Sequence, residues 1–382
     1  MRRTILLLVA LLVLASAALA APTFGNPVQL SGPGVNSHSP RVDLDGTTGV
    51  AAWEQWTGGT AATSRIFFSR TTDGGATWLP RQAAFPIESE QHYADVATVG
   101  SRVYVVASVR FFGETHYTLR ASTDGGKTWG MFAEVGIGPD AAHILDASVR
   151  VAAYGNKVWV AYVDEFGDGW LKYSTNGGQS FGGMTQLESS ASVHTKFVRI
   201  ANDGNNVYVL SATDDDGANI GPAVGPTRSY WLQKSTDGGA TFGAVKTIAT
   251  SRSLGDAEMD AYGSRIGIVW MDLTLNRTMA TSSIDRGTTF RPPQSLATTA
   301  ASAIDVSATA GRIDAVYGGP SGLKLRSLVN RRATYGKEFT VTAGVLGQNG
   351  GAMVASSGKK TVFGWIAEKG QRKRVFVRTG AF

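Results

Sequence analysis

Charged side chains recur at one position of a repeated pattern in this chain. Five residues before the glycine of a short turn stand, in chain order, Arg41, Asp95, Arg150, Arg199, Glu258, Val306 and Met353, and Asp305 adjoins Val306. A guanidinium group binds a carboxylate through two parallel hydrogen bonds, and a positioned carboxyl group can transfer a proton. If the fold brings these residues together, they form either an anion-binding site or a network in which the charges compensate each other.

Strand-like segments surround each of these positions. An apolar stretch leads to a turn at Gly46, Gly100, Gly155, Gly204, Gly263, Gly311 or Gly358, and a second apolar run such as RVYVVASV or KVWVAYV follows it. A loop, a third strand and a fourth strand complete each unit. Because the side chains alternate with a period of two and show no helical period, the sequence predicts an all-β chain of four-stranded units.

An eight-residue motif, which we call the aspartate turn, lies between the third and fourth strands. Its copies recur about every 50 residues, with the aspartate and aromatic positions held by Asp73 and Trp78, Asp124 and Trp129, Asn176 and Phe181, Asp237 and Phe242, and Asp285 and Phe290. A degenerate sixth copy puts Asn330 in the aspartate position and Tyr335 in the aromatic position. A carboxylate can fix such a turn by accepting backbone N–H groups, and the aromatic ring anchors it between sheets. Since catalysis needs one or two carboxylates and not one in every unit, we predict a structural role.

The aspartate turn resembles the Asp box, or BNR repeat, of the sialidase superfamily of β-propellers. The resemblance implies a propeller of four-stranded antiparallel blades, with the boxes on the face opposite the ligand. Seven turn glycines predict seven blades, and six is the alternative if the degenerate copy is not a blade. Residues 21–30 are similar to residues 240–248, the end of an earlier unit, so we expect the N-terminal strand to complete the last blade.

The chain begins with two arginines and an apolar run that ends in Ala18-Leu19-Ala20. This pattern predicts a secretory signal peptide, residues 1–20, cleaved near Ala20, and a single propeller domain over residues 21–382. The formal net charge is +6 and the basic residues are scattered, which is not typical of a nucleic-acid binder. We therefore expect a monomeric protein that is secreted to the periplasm or the cell exterior, without a transmembrane anchor. With no cysteine, it depends on its core and topology for stability.

The family resemblance also assigns roles to the recurring charges. Sialidases hold a substrate carboxylate with three arginines, so Arg41, Arg150 and Arg199 become candidate ligand-binding residues. The first family arginine lies in an Arg-Ile-Pro motif, and here the arginine matches but the following Val42-Asp43 does not.

Catalytic residues are less well matched to the family. Sialidases need an aspartate acid/base and a tyrosine nucleophile paired with a glutamate. Asp95 and Glu258 are candidate acids, with Asp305 as a further ligand-binding candidate, and Tyr93, Tyr262 and Tyr317 match the nucleophile only by residue type.

Variable connections carry the remaining candidates. Trp56, Phe111 and Phe166 stand in loops between second and third strands, and aromatic rings beside carboxylates suit carbohydrate recognition. Four histidines, His38, His92, His143 and His194, lie between units and are interpreted as polar contacts at the rim of the ligand face, not as metal ligands. The acidic run at 214–219 can attract Ca²⁺ but lacks EF-hand spacing, so we predict a solvated loop and no resident metal or cofactor.

Two functions from different classes fit these patterns. The first is the binding of an extracellular glycan or protein on the variable-loop face, without catalysis. The alternative is an exo-acting glycoside hydrolase in which the three arginines hold an anionic sugar and Asp95 or Glu258 donates the proton. A third possibility is a scaffold in a surface assembly. Guanidinium groups around an open pocket, free of carboxylate partners, would favour the anion site.

Overall fold

The computed structural model describes residues 21–33, 35–56, 64–87, 89–138, 148–187, 194–214, 227–319, 321–330, 332–344, 346, 351–369 and 372–382. Throughout these ranges the chain forms antiparallel β-strands joined by turns and contains no helix, as the period-two pattern predicts.

Four-stranded antiparallel sheets follow one another along the chain. Two short strands, β1 (Thr23–Phe24) and β2 (Val28–Gln29), come first. The next three sheets are β3 (Asn36–Asp45), β4 (Thr48–Trp56), β5 (Ser64–Thr71) and β6 (Gln82–Ala83); β7 (Gln91–Val99), β8 (Arg102–Phe111), β9 (Glu114–Ser122) and β10 (Ala133–Ile137); and β11 (Val149–Tyr154), β12 (Lys157–Val163), β13 (Gly169–Ser174) and β14 (Gly183–Gln186).

The middle of the chain forms a longer sheet of seven strands. These are β15 (His194–Asp203), β16 (Asn206–Asp214), β17 (Thr227–Ser235), β18 (Lys246–Tyr262), β19 (Arg265–Asp272), β20 (Arg277–Ser283) and β21 (Gln294–Ala297). The sequence pattern predicts a break between the fourth strand of one unit and the first strand of the next. Instead β18 runs through this point, pairing with β17 up to Leu254 and with β19 from Leu254 onward.

The chain ends meet in the last sheet. A further four-stranded sheet, β22 (Ala303–Ala308), β23 (Arg312–Gly319), β24 (Gly322–Val329) and β25 (Phe339–Thr342), precedes β26 (Ala352–Ser357), β27 (Lys360–Lys369) and β28 (Arg372–Ala381). Both β1 and β2 pair with β28, and Thr23 lies opposite Ala381. The predicted closure of the last sheet by the N-terminal segment is therefore confirmed.

The first strand of each unit lines a central channel of about 490 Å³. In chain order these strands are β3, β7, β11, β15, β18, β22 and β26, each lies beside the next, and β26 lies beside β3. Each pairs with the second strand of its own unit, and β18 also pairs with β17 over the part before Leu254. The edge that faces away from the second strand therefore presents backbone N–H groups that need acceptors.

Side chains of the neighbouring channel strand supply these acceptors, and we call the resulting bonds latches. Asp43 accepts a hydrogen bond from Thr98 N at 2.6 Å, and Asp95 accepts one from Val151 N at 2.9 Å. At other points around the channel, a backbone N–H group of the next unit donates in the same way to a side chain. These acceptors are Asp45, Ser148, Asp203, Asp260, Asp305, Ser307 and Ser357. The bond from Gly46 N to Ser357 joins β26 to β3, so the latches close the ring.

The latches correct one predicted position. Counting back from the turn glycine places Val306 at the channel, but Asp305 makes the latch equivalent to that of Asp95, while Val306 packs in the core. In the other units the glycine is the first central residue of the turn, as at Gly46. Here the turn spans 309–312 and Gly311 is its second central residue. The channel residue therefore stands six residues before the glycine, at Asp305, and not five.

Aspartate turns form a repeated local network. Asp124 accepts hydrogen bonds from Thr128 N at 2.9 Å and from Thr128 Oγ1 at 2.6 Å, and Ser122 Oγ donates to it at 2.8 Å. Equivalent bonds form at Asp73, Asp237 and Asp285. Asn176 accepts a hydrogen bond from Ser180 N, but its Nδ2 donates to Ser180 Oγ. The bonds from Thr289 lower the pKa of Asp285 to about 2, so the carboxylate stays ionised and committed to its turn.

The degenerate sixth copy differs from its predicted alignment. Asn330 N donates to Gly311 O, a bond that Gly125 N makes with Ser101 O, so Asn330 follows the aspartate position and does not occupy it. Tyr335 does take the aromatic position, because Gly336 N bonds Ser327 O as Gly130 N bonds Ala121 O. One extra residue in this turn accounts for the shift.

The hydrophobic core lies between neighbouring sheets. Trp159 is fully buried, and its indole N–H donates to Gly238 O in the aspartate turn of the next unit at 2.7 Å. Gly239 has φ +90°, and a Cβ there would lie 2.6 Å from Leu171 Cδ2. The aspartate turn thus packs flat against the preceding sheet, which requires glycine at this position.

Replacement of Gly239 tests this packing. Gly239→Ala should lower the free energy of unfolding by about 2–4 kcal/mol, because the methyl group meets Leu171 and the backbone is left-handed. Gly263→Ala is the matched control: its φ is +59° and no atom lies within 4 Å of the added Cβ, so only about 1 kcal/mol should be lost. Equal losses in urea unfolding of the two variants would contradict the packing role.

Candidate functional site

A cavity of about 340 Å³ opens at one mouth of the channel, above the layer of recurring charges. Its lining includes the side chains of Arg41, Arg150, Lys196 and Arg199, with Asp256 at the rim. These residues come from β3, β11, β15 and β18, so neighbouring units build the cavity jointly. An excess of cationic groups at a concave site attracts anionic ligands.

Glu258 lies at the centre of the three arginines. Its Oε1 is 3.0 Å from Arg41 Nη2 and 3.8 Å from Arg150 Nη2, and its Oε2 is 2.9 Å from Arg199 Nε. Asp95 approaches Arg41 Nε at 3.9 Å. Most of this cluster is buried, with 8% of the Glu258 side chain exposed.

Arg199 is fixed from several sides. Its Nη2 lies 2.5 Å from Asp256 Oδ1, and its Nη1 donates to Val198 O at 2.9 Å. The guanidinium group also stacks on the ring of Phe197, 4.3 Å from the ring centre. These contacts orient the group without any ligand.

The charges in this layer shift one another's pKa values. Burial acts to raise the pKa of Glu258, but Arg199, Arg41 and Arg150 outweigh it and hold the pKa below its ordinary value. Burial, together with the two neighbouring guanidinium groups, lowers the pKa of Arg150. Glu258 is therefore an ionised acceptor and not a proton donor at neutral pH.

Three carboxyl groups of the latches have pKa values that are raised, in contrast to the lowered pKa of Glu258. Burial raises the pKa of Asp43 to about 7 and that of Asp260 to about 6. Burial and the nearby charge of Glu258 raise the pKa of Asp305 well above its ordinary value. The pKa of Asp305 is thus shifted in the opposite direction from that of Glu258, and the three arginines face the carboxyl groups of Asp95, Asp256 and Glu258.

Backbone strain is concentrated beside this cavity. Ser39 and Tyr93 have φ values of +46° and +49°, and both line the cavity. Each lies in a β-bulge, between His38 and Arg41 on β3 and between His92 and Asp95 on β7. A bulge redirects the side chains that follow it, and left-handed backbone at a tyrosine costs of order 1–3 kcal/mol. Such strain is typical of functional sites.

The structure brings together the six charged residues that the repeat pattern singled out. Arg41, Asp95, Arg150, Arg199, Glu258 and Asp305 all line the channel. The three arginines are not free of carboxylates, because each lies within 4 Å of Glu258. The arrangement therefore favours a self-compensating network, in which Glu258 takes the place that a ligand carboxylate would occupy.

The loop aromatics have different surroundings. Trp56 ends β4 and lines a separate pocket, described below. Phe111 packs on the core and makes an edge contact with His116, with ring centres 5.6 Å apart. Phe166 is 61% exposed at the tip of a turn that Asp164 fixes by accepting two backbone N–H groups.

His92 is not a rim contact. It is 1% exposed, and its ring nitrogens lie 3.0 Å from Glu54 Oε1 and 3.1 Å from Glu90 Oε1. Burial acts to lower the pKa of His92, but the two carboxylates raise it above the ordinary value. Of the other three histidines, His38 lines an open pocket, whereas His143 and the side chain of His194 lie outside the described residues, so the predicted arc stays a prediction.

The tyrosine candidates do not share one site. Tyr317 donates to Glu338 at 2.6 Å, but it is buried between sheets and its pKa is raised by burial and by that bond. Tyr262 lies at the opposite mouth of the channel and is 54% exposed. Tyr93 alone lines the cavity, on strained backbone.

Sequence reasoning missed Lys196, Asp256 and Ser39. Asp256 stands two residues before Glu258, so the period of two was a usable signal for it. Lys196 stands three residues before Arg199 and reaches the same cavity because β15 bulges between Thr195 and Phe197. No sequence pattern marks that bulge.

Within the ranges that the structure describes, no group of three or more His, Asp or Glu side chains is placed to hold a metal ion. The acidic run predicted as a solvated loop begins at Asp214, the last residue of β16, and its remaining residues, 215–219, lie outside those ranges. None of the described residues forms a helix that is long and apolar enough to cross a membrane.

Comparison with known proteins places the fold. A protein of unknown function from Dyadobacter fermentans is similar over 94% of this chain and 99% of its own, with 13% identity and a TM-score of 0.56. The phage phi92 endosialidase covers 94% and 69%, with 8% identity and a TM-score of 0.55. An α-L-arabinanase from Penicillium chrysogenum, complexed with arabinobiose, covers 94% and 98%, with 13% identity and a TM-score of 0.53.

The last two neighbours are β-propellers, and the likeness establishes a β-propeller of four-stranded antiparallel sheets for this chain. No family model and no curated protein matches the chain.

Removal of the central carboxylate tests whether the arginines can hold an anion. Glu258→Ala should lower the free energy of unfolding by about 3–5 kcal/mol, because three buried cations lose their shared partner. Acetate should restore part of this stability, whereas chloride at equal ionic strength should not. Asp256→Asn, whose carboxylate is 40% exposed, is the control and should cost less than about 1 kcal/mol. A loss that acetate leaves unchanged would contradict an anion-binding arginine cluster.

The raised pKa of Asp43 predicts a pH dependence. The folded value of about 7 exceeds the unfolded value, so folding is penalised as pH rises from about 4 to about 7. Asp43→Ser keeps the latch acceptor, as Ser307 does at the equivalent position, and removes the titrating group. The variant should gain about 1–3 kcal/mol over the unmodified protein between pH 4 and pH 8 in urea unfolding. A stability difference independent of pH would refute the shifted pKa.

Proposed function

We propose that this chain is a secreted, monomeric, seven-bladed propeller that binds an acidic glycan at the channel-mouth cavity, without catalysis. The carrying observation is the cavity itself: Arg41, Arg150, Lys196 and Arg199 line it, and the three carboxylates that face the arginines, Asp95, Asp256 and Glu258, leave one cation in excess. A carboxylate-bearing sugar offers the complementary charge and the planar oxygen pair that guanidinium groups recognise.

The blade number in this proposal has its own support. Latches join the channel strands in the order β3, β7, β11, β15, β18, β22, β26 and back to β3. On this proposal the long sheet counts as two blades that share β18, whose two halves pair with different strands.

The names of the structural neighbours point in the same direction. They include an endosialidase and an arabinanase bound to arabinobiose, so propellers of this shape act on glycans. Transfer of that property to this chain is part of the proposal, because the identities of 8% and 13% support the fold alone.

The surroundings of the candidate acids support the part of the proposal that excludes catalysis. Glu258 is held ionised by three arginines, and Asp95 is committed to Val151 N and Arg41. A general acid needs a proton and access to the leaving group. Burial raises the pKa of Asp305, but its two carboxyl oxygens accept hydrogen bonds from the N–H groups of Val306 and Val354.

Calorimetric titration with sialyl and uronate oligosaccharides, and with neutral oligosaccharides of equal length, tests the proposal. We expect binding of the acidic sugars only, weakened by salt. Lys196→Gln should reduce the affinity about tenfold, because it removes one positive charge from the cavity lining and leaves the three arginines and Glu258 in the sequence. Lys127→Gln, an exposed lysine in an aspartate turn, is the matched control and should have no effect.

The outcomes separate the two functions. Equal affinity for neutral and acidic sugars, or for the two lysine variants, would refute the cavity as the site. Turnover of a fluorogenic glycoside that is lost in Arg41→Ala or Asp305→Asn would replace binding by hydrolysis.

A further inference from the structure

We propose that a second cavity, at the seam between the first and last sheets, is a stacking subsite for the same ligand, and that the ligand is therefore an oligosaccharide and not a single sugar. We call this cavity the seam pocket. It measures about 290 Å³ and is lined by Asn36, His38, Trp56, Glu368, Arg372 and Lys373. The inference deepens the proposed function and rests on it.

The seam pocket has the composition of a sugar-binding surface. Trp56 supplies a large aromatic ring, stacked at an angle on His38 with ring centres 5.0 Å apart. Charged groups from β27 and β28 surround it, among them the exposed Arg372 and Glu368. An aromatic face beside polar groups binds the apolar face of a sugar ring while its hydroxyl groups are hydrogen-bonded.

A buried network holds Trp56 in place. Its indole N–H donates to Glu54 Oε1 at 2.5 Å, and the same oxygen lies 3.0 Å from His92 Nδ1. The second ring nitrogen of His92 meets Glu90, which in turn pairs with Arg110 at 3.3 Å. Glu54 and His92 are 4% and 1% exposed, so the charges that fix Trp56 are themselves shielded from water. A platform held in this way loses little side-chain entropy when a ligand binds.

His38 contributes a second polar surface. Burial lowers the pKa of His38, and the positive charge of Lys373 acts in the same direction against Glu54, so the ring is neutral at pH 7. A neutral imidazole offers one donor and one acceptor.

Strand β3 connects the two cavities. Asn36 and His38 face the seam pocket, whereas Ser39, Pro40 and Arg41 line the channel-mouth cavity. The change occurs at the β-bulge that follows His38. At about 3.3 Å per residue, the two sites lie within about 10 Å along the strand, close enough for one extended ligand. The acidic sugar would lie over the arginines and the next units would stack on Trp56.

The test compares monomers with oligomers in the full chain. Calorimetry would use N-acetylneuraminic acid and its α2,8-linked trimer, and galacturonic acid and its trimer. Trp56→Ala should weaken binding of the trimer about fivefold to tenfold and change monomer affinity less than twofold. Trp56→Phe should recover most of the loss. Phe166→Ala, which removes another loop aromatic, is the control and should change neither affinity.

The possible results distinguish failure of the subsite from failure of the proposed function. If Trp56→Ala leaves trimer affinity unchanged while Lys196→Gln weakens both monomer and trimer, the seam subsite is refuted and the proposed function stands. A loss in Trp56→Ala that is equal for monomer and trimer refutes a separate subsite. If none of the four acidic sugars binds, the proposed function fails and the subsite fails with it. Unchanged thermal unfolding of Trp56→Ala excludes misfolding as the cause.

Discussion

The unpaired edge of each channel strand is the constraint on which the rest of the structure depends. Its backbone N–H groups face a narrow channel, where an unsatisfied donor is costly. A carboxylate or hydroxyl group of the neighbouring unit accepts a hydrogen bond from these donors, as Asp95 does from Val151 N and Ser357 does from Gly46 N. Six of the nine latch acceptors among the described residues are aspartates, so the latches also place acidic side chains along the channel. The three arginines lie around Glu258 in the layer nearest the cavity.

Fold and site share the same residues, which limits what each can do. Asp95 holds a latch and faces Arg41, and Asp305 holds a latch beside Glu258. A carboxylate committed to a backbone N–H group is not free to exchange protons with a substrate. Under the proposed function, a ligand anion must compete with Glu258 for the three arginines.

The sequence predicted the features that repeat and missed those that break the repeat. Turn glycines and alternating side chains gave the strands, the channel position of six charged residues and the closure by residues 21–30. Asp305 was displaced because Gly311 takes the second central position of its turn. Lys196 and Ser39 reach the cavity through bulges, which have no sequence signature. His92 was misjudged because its partners, Glu54 and Glu90, belong to a neighbouring sheet and to a preceding loop, and only the fold brings them together.

Pairing of β1 and β2 with β28 means that the last sheet can be completed only after β28 has been translated. These strands pair with β28, so residues 23–29 have no partner until residues 372–381 have been translated. Until then the nascent chain carries an unpaired segment at one end and an incomplete sheet at the other, and open strand edges promote aggregation. Any factor that keeps the early residues unfolded during translation would therefore assist assembly, whereas early pairing with the wrong edge would trap the chain in an open form.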